Sequence, residues 1–386
     1  MNRRFNRRLH STHFPGSRFG NARQRGAVII IVLWTAVLLT VLVTAMAGKV
    51  RLSAQTVIHN QDVSTQWAQQ MAVLHKAEAE LMLDLMARPV GMQLEETDEG
   101  EVRTPAYRFN GQELTELFYP QSDDPDSDPD SDKYVVRIYN HAGKINLNRI
   151  PRRNMQMLIE ERLGGVENAN PDEVQEYLSA WTDWTDLNSL AALGGAEADY
   201  YQSLDPGYTP RNNPELDTVD ELLHVRGFAE LFEGVNLDAA FTIHGNVRTL
   251  NLNLATREAM SLIPGMDEEI IENILAFREL EDINNRAEIA EIVPFENLQE
   301  MSSWIGNQSS QFYDVFVYRR ADPEQVAQVR ENSTDEFFNP DPVTQAYTEI
   351  IEVRGFNNLP TVLEVNPYGR LPDTAPPRVR EEDLLF

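Results

Sequence analysis

Residues 27–48, AVIIIVLWTAVLLTVLVTAMAG, carry no charged side chain. At ~1.5 Å per residue a helix of this length spans the ~30 Å hydrocarbon core of a bilayer. Beyond Gly48 the pattern turns amphipathic, with Trp67, Met71, Leu74, Leu81 and Leu85 recurring at helical spacing and no proline before Pro89. One helix over 27–88 is predicted, its first half (27–48) in a membrane and its second half (49–88) packed on a globular body. After it, the runs Tyr107-Phe109, Leu114-Tyr119 and Tyr134-Tyr139 are rich in aromatic and β-branched residues and read as strands. Strand patterns return in 312–320, 326–330 and 347–353. Between these two groups, from Ile145 to Ser303, the periodicity is helical, with breaks at Gly164-Gly165, Gly194-Gly195 and Gly227. The pattern therefore predicts an α+β body in which about 160 residues of helix interrupt a small β frame.

Two internal echoes run through this body. INLNRIPRRNMQMLI (145–159) and LNLNLATREAMSLIP (250–264) align at a constant offset and share Asn146/Asn251, Asn148/Asn253, Arg152/Arg257 and Met155/Met260. The shared N-x-N is read as a device in which an Asn caps the following helix. ELLHVRGF (221–228) and EIIEVRGF (349–356) form the second pair, but only the latter alternates like a strand, so the copies are expected to differ in structure.

Charge changes the picture in two places. Residues 1–26 hold seven of the 33 Lys and Arg and no acid, leaving 26 basic against 61 acidic residues for the rest. Arginines ahead of the apolar run orient residues 1–26 toward the cytoplasm and the body outward, which in a two-membrane bacterium means the periplasm. An acidic body argues against nucleic acid as a partner. The run QSDDPDSDPDSD (121–132) is expected to be disordered, and the proline-rich segment 366–386 to be a loose tail. There is no cysteine, hence no disulfide or thiolate site. No hydrolase, zinc-protease or phosphate-loop signature is present, and a non-enzymatic role is expected.

Two segments carry candidate chemistry. LIPGMDEEIIENILAFRE (262–279) has the form of a helix-hairpin-helix, yet residues 250–279 hold two Arg against six acids, which opposes phosphate binding. DWTDLNSLAALGGAEADYYQSL (183–204) places Asp183, Asp186, Asn188, Glu197 and Asp199, hard oxygen ligands suited to calcium, beside aromatic side chains, and Asp217 or Asp220 could add another ligand. An EF-hand is excluded: with Asp186 at its first position and Glu197 at its twelfth, Leu190 and Ala191 fall where a ligand and the turn glycine belong. Two readings remain from these residues alone, a solvated acidic loop with Trp181 and Trp184 in the core, or a different loop that gathers the same oxygens.

The basic leader ending in Gly26, followed by the long apolar helix, resembles a type IV pilin-like precursor. The resemblance implies cleavage between Gly26 and Ala27 by prepilin peptidase and methylation of Ala27. Ala45-Met46-Ala47 resembles a signal-peptidase site, but the apolar run and the leader are too long for an ordinary signal peptide. The family's usual glutamate at the fifth mature position is replaced by Ile31, which suits a first, topmost subunit. D-W-x-D followed by GGAEADYYQSL, DTVDELLHVRGF and NLNLATREAMSLIPG resembles the minor pseudopilin K family of type II secretion systems, here with Asn188 for a loop aspartate. That resemblance implies a type IV pilin-like fold with a large all-α insertion containing a SAM-like helix-hairpin-helix subdomain, and calcium as bound ion. It also implies minor pseudopilins I and J and the inner-membrane secretion platform as partners, and a place at the pseudopilus tip. The corresponding division is leader 1–26, transmembrane helix 27–48, continuation 49–88, first β region 89–144, helical insertion with calcium loop 145–249, hairpin subdomain 250–306, and C-terminal β region and tail 307–386. The rival reading is a membrane-anchored helix-hairpin-helix DNA receptor of the competence type.

Overall fold

The computed structural model describes residues 22–87, 108–114, 134–210, 213–319, 346–355, 357–369 and 371–372. Residues 1–21, the acidic run 121–132, the expected strands at 115–119 and 326–330, and the chain beyond 372 lie outside them. The chain divides into two compact units, Met1–Ala68 and Gln69–Phe386.

Helix α1 (Ala22–Ala87) begins in the first unit and ends in the second, stopping just ahead of Pro89 as expected. Within the first unit it is long and apolar enough to cross a membrane, with a window of mean hydropathy 2.8, and its apolar side chains from Val28 onward are exposed. Gly26 and Ala27 are helical. Trp67 is 48% exposed, so the buried stripe starts later than the spacing suggested.

In the second unit α1 lies against an antiparallel sheet of order β1-β2-β5-β6-β7, formed by β1 (Asn110–Glu113), β2 (Tyr134–Asn140), β5 (Phe312–Arg319), β6 (Ala346–Glu352) and β7 (Thr361–Gly369). Alternation selects its core face: Val136 and Ile138 of β2, Val315 and Val317 of β5, and Ile351 of β6 pack with Val73, Leu74, Ala77 and Leu81 of α1. Gln70 Nε2 donates to the Val317 carbonyl at 3.0 Å. The first expected strand is displaced. Phe109 has φ 48, a turn that ends any extended run, and its ring enters the core edge-on to Tyr313. Pairing starts one residue later, at Asn110. The reading of 366–386 as a loose tail is corrected for its first four residues, since Asn366–Gly369 complete β7. Pro367 disguises the strand, and is tolerated because β7 is the sheet's outer strand.

Between β2 and β5 lies the insertion, comprising α2 (Arg152–Arg162), α3 (Pro171–Thr185), α4 (Ala198–Gln202), α5 (Phe228–Leu231), α6 (Leu237–Ala240), α7 (Arg257–Met260), α8 (Glu268–Leu280), α9 (Arg286–Ile292) and α10 (Phe295–Met301). It is not wholly helical: β3 (Ile145–Asn146) pairs in parallel with β4 (Phe241–Thr242). A single core from Ile145 to Trp304 joins 145–249 to 250–306.

The N-x-N echo is a structural repeat, but not a helix cap. Thr256 caps α7 by accepting from Ala259 N, and Pro151 precedes α2 without any side-chain cap. Instead Asn146 and Asn251 each accept from the backbone N–H two residues on, at 3.1 Å. Asn148 then accepts from Leu216 N and donates to Leu216 O, and Asn253 does the same with Ile283. Next to these contacts, Asp217 N donates to Glu221 in one copy and Asn284 N to Glu288 in the other. Ile145 pairs in parallel with Phe241, as Leu250 does with Ile305. The second echo diverges as expected: Val219–His224 is a 3₁₀ helix, whereas 349–352 lie in β6.

Where the sheet meets the insertion, buried Asp314 of β5 accepts from Lys144 and from His141 Nε2 (2.9 Å), and His141 Nδ1 lies 2.7 Å from Thr242 Oγ1. Burial by itself would raise the Asp314 carboxyl, but Lys144 and His141 hold it well below the usual carboxylate range. His244 stacks on Phe312 and is lowered to about 4, first by burial and then by repulsion from His141.

Candidate metal centre

Helix α3 delivers the acidic loop. Asn170 caps its start by accepting from Asp172 N, Pro171 fits the first turn, and Val174, Leu178, Trp181 and Trp184 form its buried stripe. Trp181 stacks on Phe228 with ring centres 5.8 Å apart, and Trp184 meets Tyr201 edge-on at 5.0 Å. These aromatic contacts fix the end of the helix and carry Asp183 into the interior, where it is 2% exposed.

The loop then folds back over that carboxylate. Ala192 N donates to Asp183 Oδ2 at 3.1 Å, and Gly195 packs so close that a Cβ there would stand 1.9 Å from Oδ2. Asp183 is raised by burial, with Asp186 adding to the rise and the N–H groups of Ala192 and Ala196 offsetting part of it. Asp186, capping the end of α3, accepts from Asn188 N (3.0 Å) and Asn188 Nδ2 (2.6 Å), and Asn188 Oδ1 accepts from Leu190 N.

Glu197 precedes α4, is 7% exposed, and neither of its carboxylate oxygens has a hydrogen-bond partner. It is raised by burial first and then by the negative charges of Asp183 and Asp186, a rise that the nearby Ala198 N–H offsets in part. A buried carboxylate without a partner costs several kcal/mol, roughly, unless a proton or a cation satisfies it. Glu197 thus carries the unmet electrostatic demand of the loop, with the negative charges of Asp183 and Asp186 near it. Asp199 and Asp217 are exposed, and Asp217 N is bound to Glu221, whose other oxygen accepts from Trp184 Nε1. Among the described residues no three His, Asp or Glu side chains stand in an arrangement that could hold a metal. The six sequence-selected residues thus divide into a buried pair, Asp183 and Glu197, a loop pair, Asp186 and Asn188, and the exposed Asp199 and Asp217.

Sequence reasoning missed Arg226, from the VRGF echo. Its guanidinium carbon lies 5.1 Å from the Tyr200 ring centre, and Nη1 donates to the carbonyls of Gly194 (3.4 Å) and Gly195 (3.3 Å). The helix-hairpin-helix turn, by contrast, faces protein. Gly265 takes φ 78, its carbonyl accepts from Asn297 Nδ2, and a Cβ on it would meet Asn297 O at 3.0 Å and Glu300 at 3.1 Å. Arg257 is engaged by Glu268 and Glu272.

Residues 143–232, which contain α2, α3 and the whole acidic loop, match the family model described as type II secretion system (T2SS), protein K. A crystal structure of the GspK-GspI-GspJ complex from the enterotoxigenic Escherichia coli type 2 secretion system also aligns with the chain. The alignment has 12% identity over 80% of this chain and 99% of that chain, at a TM-score of 0.43. No curated protein sequence matches the chain. The matched segment holds the first N-x-N module and every candidate ligand.

Proposed function

We propose that this chain is a minor pseudopilin at the tip of a type II secretion pseudopilus, where it primes assembly and supports export of folded proteins across the outer membrane. The observation that carries the reading is the segment matching protein K at 143–232, inserted into an α+β body whose first element is a membrane-length apolar helix. In this reading prepilin peptidase cuts between Gly26 and Ala27, the helix holds the chain in the inner membrane with its body in the periplasm, and the secretion platform and minor pseudopilins I and J are its partners. Its role is non-enzymatic. A bulky insertion is tolerated at the end of a filament, where nothing stacks above it. The buried Glu197, whose carboxylate oxygens lack hydrogen-bond partners near the charge of Asp183, is the reason to include calcium: a hard cation there would satisfy that carboxylate and order the loop, with Asp183, Asp186 and Asn188 as further oxygen donors. The DNA-receptor reading is disfavoured by the hairpin turn packed on Asn297 and Glu300. The test is secretion itself. Deleting the chain should retain exoproteins in the periplasm and the intact gene should restore export; unchanged export, with loss of DNA uptake, would overturn the proposal.

A further inference from the structure

We propose that Arg226 is a positioning residue of the calcium loop, fixing the Gly194-Gly195 arm so that the carboxylates on either side of it are set before a cation arrives. The inference rests on the calcium reading above and concerns a residue outside the acidic segment.

The chain of contacts is continuous. Arg226 Nη1 donates to both carbonyls of the arm, Gly195 N donates to Ala192 O at 2.9 Å, and Ala192 N donates to Asp183. Two residues beyond Gly195 the chain reaches Glu197. Arg226 is itself anchored at its backbone, where its N–H donates to Tyr201 Oη at 3.2 Å. The next residue, Gly227, has φ 80 and packs so near Tyr177 that a Cβ would fall 2.5 Å from the ring. The guanidinium lies over Tyr200, and Nη2 stands 3.8 Å from Glu176. Each of these partners of Arg226 belongs to α3, to the loop, or to α4.

Charge and geometry make opposite demands on this residue. A positive charge near the site repels a cation, whereas a fixed arm removes the ordering cost of binding. The Arg226 side chain is 37% exposed and its guanidinium meets carbonyl oxygens and the Glu176 carboxylate, so solvent and that carboxylate screen the repulsion, and geometry prevails. When the competent arrangement is only fractionally populated, the apparent Kd rises by the inverse of that fraction. Lysine separates the two effects, since it keeps the charge but lacks the planar guanidinium that lies over Tyr200 and so holds its donor at the two carbonyls.

The experiment is calcium titration by isothermal calorimetry on the detergent-solubilised full chain and its Arg226→Lys and Arg226→Ala variants, with melting curves in chelator alongside. Both variants are expected to bind calcium about tenfold more weakly than the parent. Should Arg226→Ala fail to fold, Arg226→Lys decides. Parent-like affinity in Arg226→Lys overturns the positioning role, even if its chelator melting temperature falls. No calcium binding by the parent overturns the calcium reading and this inference with it, an outcome distinct from equal affinities.

Discussion

The carboxylate of Asp183 fills the space that a side chain at Gly195 would need, Oδ2 lying 1.9 Å from the position of a Cβ there. No left-handed backbone is involved at Gly195, so the requirement is one of room. Gly195→Ala is therefore expected to push either the loop or the carboxylate aside and to abolish most of any calcium-induced stabilisation. Melting curves of the full chain with chelator and with excess calcium would show the two conditions coinciding in the variant.

Calcium should raise the melting temperature of the unmodified protein, by linkage to the folded state alone. Affinity of order 10⁻⁴–10⁻³ M would suffice outside the inner membrane, and magnesium should substitute poorly because it keeps its waters and a tight octahedron. Glu197→Ala and Asp186→Ala should each remove most of the rise while leaving the circular dichroism spectrum unchanged. Superimposable curves for the unmodified protein would reduce the segment to a solvated acidic loop.

The N-x-N modules predict paired effects. Asn148→Ala and Asn253→Ala each remove an acceptor and a donor, leaving backbone groups of Leu216 or Ile283 unsatisfied, and the Asn148 amide also donates to the Ile243 carbonyl. Each should cost about 2–6 kcal/mol, at about 1–3 kcal/mol for each buried group left unsatisfied. Asn188→Ala, at an exposed position, should cost much less in chelator. Urea unfolding of the detergent-solubilised chain measures all three.

Much of this architecture was legible from apolar spacing. The end of α1 at Ala87 follows from Pro89, and β2, β5 and β6 fall where aromatic and β-branched residues cluster. The repeat at Asn146 and Asn251 was visible as identity, but its purpose was not, because the bonds of Asn148 and Asn253 reach 68 and 30 residues along the chain. β7 was hidden by Pro367. At the candidate site, residue type selected Asp183 and Glu197 together with Asp199 and Asp217; burial alone separates them, and burial is set by Trp181 and Trp184 packing on Phe228 and Tyr201. Arg226 carried no signal beyond the VRGF echo, since its partners are backbone carbonyls.

Acid should weaken the junction between sheet and insertion. His244 has its pKa lowered to about 4 from 6.5, so the unfolded chain binds a proton that the folded chain refuses between these values. That contribution to stability is fully present above pH 6.5 and is lost as pH falls toward 4. Asp314, also lowered, adds a further loss below the ordinary carboxylate range. His244→Phe, which retains the stack on Phe312, should flatten the fall in melting temperature between pH 6.5 and 4.

Processing follows from the leader. Cleavage between Gly26 and Ala27 would leave residues 27–386 with the membrane helix intact, and Gly26→Val should leave the precursor uncut. Mass spectrometry of membrane-extracted protein reads this directly; a terminus after Ala47 would instead identify an ordinary signal peptide.

The central claim is that this chain works at the pseudopilus tip in company with other minor pseudopilins. Affinity purification of the tagged full chain from detergent-solubilised membranes, in calcium, tests it most directly. The account predicts that the cognate minor pseudopilins I and J copurify in fixed proportion to it. Recovery of the folded chain without either of them, and with tight, salt-sensitive binding to DNA, would contradict it.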